Sequence, residues 1–295
     1  MTLLAVPEHI YTLDNRDLQV ACEAALEGAK IIKHAWENQP TMFKEKDGHY
    51  DLVSEVDEKS DECIQRILRA AFPQDPILSE ELSPELECES RRGRLWICDP
   101  LDGTACFLFR TDPFAPTVMI ALTVDYKPVV SVIVQPILGK WTYAVRGVGT
   151  FCDGRRMRMR KSSQGDLKHA WVDLNQYGDR EYESELFTRI DKMVRSPLGA
   201  RLVSRSPPYS AIALRLLSPV ATEERGLAAC LHDHNPLKPK QLPWDIVPVQ
   251  LIIEEAGGEY VDACKGLDER LDPFNLQGPI LIGNRSTIEY ILKNA

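Results

Sequence analysis

The stretch Trp96-Ile97-Cys98-Asp99-Pro100-Leu101-Asp102-Gly103-Thr104 decides how the rest of the chain is interpreted. It begins with apolar residues typical of a strand and ends in two aspartates that Pro100 and Gly103 place in a tight turn. Such a turn can aim both carboxylates, and the Leu101 carbonyl between them, at one point. Hard cations such as Mg²⁺ prefer oxygen ligands of this kind. An isolated Asp-Gly turn is also a common structural element, so the motif needs support from elsewhere in the chain.

Two further acidic sites stand at the ends of predicted elements. Glu80-Glu81 follows the short apolar run Ile77–Ser79, and Asp245 follows Trp244 at the start of an apolar helix. Taken singly, adjacent glutamates are usually a solvated pair, and an aspartate at a helix start is usually a cap. Together with the aspartates of the turn, they place carboxylates at the ends of strands and helices, where the ligand sites of α/β proteins form.

Hydrophobic periodicity predicts the elements around these sites. Apolar residues at three- and four-residue steps predict a helix over about 14–38, capped by Asp14 or Asn15, and a second helix from Val56 to Ala71, closed by Pro73. The other predicted segments are a polar loop at 44–51, strands at 77–79, 94–98, 117–124, 128–134, 141–145, 169–174, 201–204, 226–231, 260–261 and 279–282, and helices at 182–194, 209–217, 244–256 and from Ser286 onwards. This order of helices, an antiparallel meander and alternating strands and helices predicts an α/β fold with two sheet layers interleaved with helix layers. We expect an N-terminal α+β half at 1–158 and a C-terminal α/β half at 159–295, packed as one compact unit.

The composition restricts the possible partners. The chain has 295 residues, 44% of them hydrophobic, and a formal net charge of −9. An acidic chain is a poor binder of nucleic-acid polymers, whose phosphate backbone requires a basic surface, whereas a bound cation can still attract a small phosphorylated substrate. The N-terminus lacks the pattern of a signal peptide, and no apolar stretch approaches the ~18 residues of a membrane span. We therefore expect a cytoplasmic protein without a membrane partner.

Five motifs occur in the order found in the inositol monophosphatase family, and the chain resembles that family from about residue 46 to 260. The central stretch matches the family's D-P-[IL]-D-G-T signature, and Glu80-Glu81 matches its upstream acidic pair. The remaining matches are Asp51-Leu52-Val53-Ser54-Glu55-Val56-Asp57, Gly147-Val148-Gly149-Thr150-Phe151, and Trp244-Asp245 followed by Glu254-Glu255-Ala256-Gly257-Gly258.

The resemblance implies a layered αβαβα sandwich of the inositol monophosphatase and sugar phosphatase type, together with a role for each motif residue. Glu80, Asp99 and the Leu101 carbonyl are expected to bind a first Mg²⁺, and Asp99, Asp102 and Asp245 a second. Glu80 is also expected to share a third, so that two or three Mg²⁺ bind per site. Family members are commonly lithium-sensitive homodimers, which we expect here as well.

The remaining roles that the resemblance implies concern the attacking water and the substrate. Thr104 and Asp57 are expected to orient and deprotonate the water, and Lys46 to lie near the metals, with Glu81 beside them. The substrate wall is expected to include the residues Asp102, Gly103, Thr104, Ser210, Ala211, Lys238 and Asp245. An exposed loop position remains the alternative for Lys46.

The substrate wall departs from the family pattern at three positions. Cys106 stands where many members have Asn, Tyr209-Ser210-Ala211 replaces a Gly-Ser/Thr-Ala turn, and Lys238 occupies the position of an acidic residue that contacts inositol hydroxyls. A lysine donates hydrogen bonds and favours anions, so a second anionic group on the substrate is one interpretation, and a solvent-facing lysine is the other.

We therefore expect Mg²⁺-dependent hydrolysis of a small phosphate monoester by an activated water. Inositol 1-phosphate is the default substrate, and histidinol-phosphatase, 3′(2′),5′-bisphosphate nucleotidase and fructose bisphosphatase activities are the alternatives. A catalytically idle regulatory relative is the rival from another functional class. His232-Asp233-His234 lacks a clear third ligand for zinc and is interpreted as a surface loop.

Overall fold

The computed structural model of the chain describes residues 4–38, 43–45, 52–84, 92–111, 116–159, 171–176, 185–195, 202–204, 214, 216–218, 230–233, 243–269, 271–275 and 280–294. The chain divides into two compact units, Met1–Arg156 with Pro243–Ile252, and Met157–Leu242 with Ile253–Ala295. The α/β class predicted from the sequence is confirmed. The predicted halves at 1–158 and 159–295, packed as one unit, stay a prediction. Within the described ranges, each helix is too short or too polar to cross a bilayer.

The first unit combines an antiparallel meander with helices that precede it in the sequence. Its elements are α1 (Glu8–Thr12), α2 (Arg16–Asn38), β1 (Phe43–Glu45), β2 (Leu52–Ser54), α3 (Glu55–Ala71), β3 (Ile77–Ser79), β4 (Arg94–Asp102), α4 (Thr104–Phe109), β5 (Thr117–Val124), β6 (Lys127–Gln135), β7 (Lys140–Val145), β8 (Gly149–Cys152), the start of β9 (Arg155–Met159) and most of α6 (Pro243–Glu255). Its sheet has the order β9-β8-β7-β6-β5-β4-β3. Strands β4 to β8 pair antiparallel in succession, and β3 pairs parallel with β4.

One face of this sheet is apolar and packs with α2 and α3 in a single core. Neighbouring strands place Val118 opposite Val134, Ile120 opposite Val132 and so on, and these side chains belong to the same buried cluster as the apolar face of α2. Because side chains alternate along a strand, the odd-numbered residues that lie between these along each strand point to the other face. The other face therefore meets a different part of the chain.

The other face of the sheet carries a row of small side chains beneath α6. Ser131 pairs with Ala144, and Ala144 pairs with Thr150, so these three residues stand side by side across β6, β7 and β8. The Ser131 hydroxyl donates to the Pro248 carbonyl at 2.6 Å, and the Thr150 hydroxyl donates to the Ile252 carbonyl at 2.6 Å. Small residues let the helix backbone approach closely, and the two hydroxyls then hold it by its carbonyls.

A capping box fixes the start of α3. Ser54 is the N-cap, its hydroxyl accepts from the backbone N–H of Val56 at 3.2 Å, and Asp57 at position N3 accepts from the backbone N–H of Ser54 at 2.9 Å. Such a box satisfies amide donors that the first turn of a helix leaves without intrahelical partners. The start of α3 is therefore tied to β2 by the same residues that the sequence motif contains.

The second unit holds a five-stranded sheet in the order β11-β10-β13-β15-β14. Its elements are β10 (Trp171–Gln176), α5 (Glu185–Val194), β11 (Leu202–Ser204), β12 (Leu217–Ser218), β13 (Cys230–Asp233), β14 (Glu259–Asp262), β15 (Ile280–Gly283) and α7 (Arg285–Asn294). β10 pairs parallel with β11 and β13, whereas β15 pairs antiparallel with β13 and β14. The end of β9 pairs with β12. The sheet is therefore mixed.

Most predicted elements are confirmed, and their ends shift by a few residues. Asn15, one of the two predicted caps, accepts from the backbone N–H of Leu18 at 2.9 Å. Two predictions were wrong: Lys44 and Glu45 belong to a strand that pairs with β2 rather than to the polar loop, and Leu217 lies in a strand rather than in a helix. In both cases, pairing with another strand overrides local composition. The helix predicted over 209–217 otherwise lies largely outside the described residues.

Candidate metal centre

An irregularity in the sheet places two aspartates on one side of β4. Asp99 pairs with Met119, and Asp102 pairs with Thr117, so two residues of β4 stand against one residue of β5 between these pairs. In a regular strand, residues three apart point to opposite faces, and one extra residue restores the same side. Pro100 lies in the irregular stretch, where no N–H for the ladder is required. The Asp-Pro-Leu-Asp sequence therefore folds into a bulge that aims both carboxylates in one direction.

Gly103 turns the chain immediately after this bulge. It has a φ of 90° and serves as the N-cap of α4, a left-handed conformation that suits glycine. The turn directs the Thr104 hydroxyl back towards the bulge, 3.1 Å from the Leu101 carbonyl. The Leu101 N–H donates to Asp99 Oδ1 at 3.0 Å. Asp99, Leu101 and Thr104 are thus held together by local hydrogen bonds.

Three carboxylates meet at the end of β4. One oxygen from each of Asp99, Asp102 and Asp245 lies within 4.8 Å of the others. Asp245 lies in the first turn of α6, and Asp99 and Asp102 are only 1% and 6% exposed. Thr117 donates to Asp102 Oδ2 at 3.4 Å. Three acidic groups so close together repel one another, and a cation between them relieves this repulsion.

Glu80 lies beside this group. The parallel pairing of β3 with β4 sets Ser79 opposite Cys98, and Glu80 and Asp99 are the residues that directly follow this pair along the chain. The Glu80 N–H donates to the Cys98 carbonyl at 3.3 Å. Burial, followed by the negative charges of Glu80, Asp102 and Asp245, raises the pKa of the Asp99 carboxyl well above its ordinary value. The unfavourable electrostatic energy therefore falls mainly on Asp99, the most buried carboxylate of this group.

A second acidic group approaches Thr104 from α3. The Thr104 hydroxyl is 2.8 Å from Asp57 Oδ1, although the two residues are 47 positions apart in the sequence. Asp57 is 1% exposed and uses its other carboxylate oxygen in the capping box. Burial raises the pKa of the Asp57 carboxyl, while hydrogen bonds from Ser54 and Thr104 oppose this change. Asp57 therefore connects the first turn of α3 to the first turn of α4.

The structure brings together most, but not all, of the residues predicted for the site. Glu81 is half-buried next to Glu80, and Cys106 is buried in α4. Four predicted residues lie outside the described part of the chain: Lys46, Ser210, Ala211 and Lys238. The interpretation of His232 and Asp233 as a surface loop was wrong, because both belong to β13, which pairs with β10 and β15. His234 lies outside the described residues. The roles expected for the other residues stay predictions.

Two residues of α3 contact the site loops and were not predicted from the sequence. The Ser60 hydroxyl donates to the Pro100 carbonyl at 2.9 Å, and the Asp61 carboxylate binds the loop that carries Glu80. They follow Asp57 at helical spacing, so all three lie on one side of α3. The available signal was a run of small or acidic residues on the buried side of an amphipathic helix.

Comparison with known proteins agrees with this geometry. A model of the inositol monophosphatase family matches residues 14–294. The chain is 27% identical over 278 residues to a fructose-1,6-bisphosphatase/inositol-1-monophosphatase of Aquifex aeolicus (strain VF5), across 94% of both chains. It is also 27% identical over 278 residues to Nus factor SuhB of Escherichia coli (strain K12), again across 94% of both.

A solved structure resembles the whole chain. Extragenic suppressor protein suhB from Bartonella henselae has a TM-score of 0.77 at 24% identity, covering 95% of this chain and 98% of that one. At this level of identity, the likeness shows a common fold, and it confirms the predicted fold type. Because the family model matches nearly the full length, this chain is a member of the inositol monophosphatase family.

Proposed function

We propose that this chain hydrolyses a small-molecule phosphate monoester with the help of Mg²⁺. The observation that carries the proposal is the cluster of Asp99, Asp102 and Asp245, whose oxygens lie within 4.8 Å of one another. The donor set fits the metal, because Mg²⁺ prefers carboxylate and carbonyl oxygens. Burial and the neighbouring negative charges raise the pKa of the Asp99 carboxyl, and a bound cation would favour its ionised form.

We assign the cation ligands as the family resemblance implies. Glu80, Asp99 and the Leu101 carbonyl would hold one Mg²⁺, Asp99, Asp102 and Asp245 a second, and Glu80 would share a third. When bound, Mg²⁺ polarises phosphoryl oxygens and acidifies water. Li⁺ is expected to inhibit by replacing the second Mg²⁺, and equal activity with and without millimolar Li⁺ would count against this arrangement.

The Thr104–Asp57 pair would orient and deprotonate the attacking water. With its hydroxyl proton directed at Asp57 Oδ1, 2.8 Å away, the Thr104 oxygen presents a lone pair to a water molecule. As the water oxygen attacks phosphorus and the ester P–O bond breaks, the water proton passes to Thr104, and the Thr104 proton passes to Asp57. The ester oxygen leaves with the bonding electron pair and takes up a proton from solvent water, and Asp57 returns its proton to solvent before the next turnover. The capping box keeps Asp57 in place during this transfer because Ser54 binds its second oxygen.

Turnover by purified protein tests the proposed reaction. We expect Mg²⁺-dependent release of phosphate from a panel of phosphomonoesters, and a greater loss of activity in Asp99→Asn than in any other single variant. Asp17→Asn is the matched control, because Asp17 pairs with Arg94 at 2.9 Å and lies outside the carboxylate cluster. Folded protein that releases no phosphate with any member of the panel would contradict the proposal. Calorimetry that gives the same Mg²⁺ stoichiometry for Asp99→Asn and wild type would contradict the ligand assignment.

The substrate is inositol 1-phosphate or a molecule with a second anionic group. We propose modest activity on inositol 1-phosphate and equal or better activity on a doubly anionic substrate, because Lys238 replaces an acidic residue. The Aquifex relative is named for both fructose-1,6-bisphosphatase and inositol-1-monophosphatase, which supports including a bisphosphate. The alternatives are histidinol phosphate and adenosine 3′,5′-bisphosphate.

Specificity constants decide among these substrates. We propose measuring kcat/KM for inositol 1-phosphate, histidinol phosphate, fructose 1,6-bisphosphate and adenosine 3′,5′-bisphosphate in wild type and in Lys238→Glu. The variant is expected to shift the preference towards inositol 1-phosphate by roughly 10- to 100-fold, the equivalent of one charge-assisted hydrogen bond. An unchanged ranking would show that Lys238 does not contact the substrate.

A catalytically idle regulatory protein is the rival function. The Escherichia coli relative is called a Nus factor, a name that states no substrate. The presence of the carboxylate cluster and of the Thr104–Asp57 pair favours the enzyme. Failure of turnover in the panel above, with Mg²⁺ still bound, would favour the rival.

We also infer a homodimer from the family resemblance, and we keep the cytoplasmic location expected from the sequence as a proposal. Light scattering is expected to give twice the mass of the 295-residue chain at micromolar concentration. A monomer under these conditions would contradict the assembly. Fractionation of the source cells tests the location.

A further inference from the structure

The carboxylate of Asp61 is buried one helical turn beyond Asp57. Asp61 is 0% exposed, and its two oxygens receive hydrogen bonds from both ends of a short loop. Oδ1 accepts from the Ser79 hydroxyl at 2.7 Å, and Oδ2 accepts from the Leu82 N–H at 2.9 Å. Gln65, one further turn along α3, donates to Oδ1 at 3.0 Å. A single carboxylate therefore spans the loop from residue 79 to residue 82.

The loop held in this way carries the two glutamates of the site. It begins where β3 ends, and the Ser79 N–H donates to the Ser83 carbonyl at 3.0 Å, which closes the turn. Glu80 and Glu81 lie between the two points that Asp61 binds. The Ser83 hydroxyl donates to Gln65 at 3.4 Å, so the far end of the loop is tied to α3 as well.

The energetics favour one loop conformation. A buried carboxylate is costly unless hydrogen bonds replace its lost hydration. The donors that the structure describes around Asp61 are the neutral groups of Ser79, Leu82 and Gln65. Movement of the loop would remove two of them and leave the charge insufficiently solvated. Asp61 therefore opposes any displacement of Glu80 from the end of β3.

We propose that Asp61 is a positioning residue, which holds the Ser79–Ser83 loop so that Glu80 is preorganised as a ligand for the cation. This inference rests on the proposed metal site. It gives α3 an indirect role in metal affinity, because no residue of this helix is a proposed ligand of the cation. Partners that orient metal ligands typically change metal affinity or activity by about 10- to 100-fold when replaced.

Calorimetric titration of Mg²⁺ into folded protein tests the proposal without relying on turnover. Asp61→Asn keeps the size of the side chain but replaces one acceptor oxygen by a donor NH₂ group, so the variant cannot accept from both the Ser79 hydroxyl and the Leu82 N–H. We expect Mg²⁺ binding to weaken by about 10- to 100-fold. In kinetics, the Mg²⁺ concentration for half-maximal activity should rise by a similar factor, whereas kcat at saturating Mg²⁺ should change much less.

Two further variants separate positioning from stability. Ser79→Ala removes one donor and leaves Asp61 in place, so it tests the proposal even if Asp61→Asn does not fold, with an expected several-fold loss of Mg²⁺ affinity. Leu68→Ala creates a cavity on the same helix, because Leu68 is fully buried in the core of the first unit. It should lower the melting temperature while leaving Mg²⁺ affinity at the wild-type value.

The outcomes distinguish this proposal from the proposed function. Wild-type affinity in folded Asp61→Asn or Ser79→Ala would overturn the positioning role alone. A loss of Mg²⁺ affinity in Leu68→Ala equal to that in Ser79→Ala would also overturn it, since general destabilisation would then explain both. A wild-type protein that binds no Mg²⁺ would overturn the positioning role and the proposed metal site together.

Discussion

Helices α3 and α6 both bring an acidic residue to the candidate site, but they are held in opposite ways. α3 is amphipathic, and it contacts the site loops through its own side chains, Asp57, Ser60 and Asp61. α6 is buried over most of its length, and the sheet binds it through its backbone. The first helix thus positions other parts of the chain, whereas the second helix is itself positioned.

The difference follows from what each helix has available for hydrogen bonding. The polar side of α3 supplies acceptors and hydroxyls that reach loop amides and carbonyls. Between Asp245 and Glu254, the sequence of α6 has a single polar side chain, Gln250. Pro248 also has no N–H to donate to the Trp244 carbonyl one turn earlier. Hydroxyls from the sheet compensate by binding carbonyls of the helix. We therefore expect changes in α3 to act through loop geometry, and changes beneath α6 to act through the position of Asp245.

Among the changes that compare the two helices, the largest effect should come from the carboxylate that α6 contributes directly. Asp245→Asn removes a negative charge from the cluster, and we expect activity to fall by on the order of 10³-fold, as for other losses of a preorganised electrostatic contact. Mg²⁺ affinity measured by calorimetry should fall as well. The control is Glu254→Gln, at the other end of the same helix. Comparable activity in the two variants would show that α6 contributes no functional residue to the site.

A smaller effect, of a different kind, should come from the contact between α3 and α4. Thr104→Val keeps the shape of the side chain but removes the hydroxyl that binds Asp57. We expect kcat to fall by about 10²-fold, the lower range for general acid–base catalysis, with Mg²⁺ affinity retained. Thr104→Ser should recover most of the activity. If Thr104→Val lost Mg²⁺ affinity instead, Thr104 would belong to the metal site rather than to the proton path.

The close packing of α2 against α3 predicts an effect on stability. A Cβ atom at Gly28 would lie 2.7 Å from the Ser60 hydroxyl and 3.0 Å from Ile64. Gly28→Ala should therefore reduce the free energy of unfolding by about 2 kcal/mol, because overpacking outweighs the gain in helix propensity. Denaturant unfolding measures this change.

A double variant sharpens this prediction. Ser60→Ala removes the atom nearest to the new methyl group, so we expect Gly28→Ala to cost about 1 kcal/mol less in a Ser60→Ala background. If the two changes in the free energy of unfolding were strictly additive, α2 and α3 would accommodate the new methyl group by moving apart, and Ser60 would not be compressed.

The smallest effect should come from the sheet beneath α6. Thr150→Val leaves the buried Ile252 carbonyl without the hydroxyl that binds it, at a cost of about 1 kcal/mol in the free energy of unfolding. Thr150→Ser retains the hydroxyl and should cost less. If Thr150→Val were as stable as the wild type, the hydrogen bond to α6 would contribute nothing, and the packing of the methyl group would explain the choice of threonine.

The sequence predicted the site where the relevant groups are close together along the chain. Asp99, Asp102 and Thr104 lie within one turn motif, and the structure places their side chains close to one another or to a shared partner. The strand Thr117–Val124 was also predicted at the bounds that the structure gives. In these cases, alternation of apolar residues and turn chemistry are local signals.

The sequence did not predict the residues that position the site from a distance. Ser131 and Pro248 are 117 residues apart, and Thr150 and Ile252 are 102 apart. In each pair, one partner is a backbone carbonyl, which every residue possesses, so the sequence contains no pattern that identifies the contact. The wrong prediction for Lys44 and Glu45 has the same origin, because strand pairing with residues 52–54 determined their conformation.

The two tasks of Asp57 bear on how this site would change over evolutionary time. Its capping bond stabilises α3, with caps of this kind contributing about 1 kcal/mol. A lineage that abandoned hydrolysis would therefore still select for Asp57. The cluster around Asp99 has the opposite property, because the burial and mutual repulsion of its carboxylates destabilise the fold unless a cation is present. Mutations would consequently replace the carboxylates of the cluster before they replace Asp57. In distant descendants, an intact cluster is therefore a better indicator of activity than an intact Asp57.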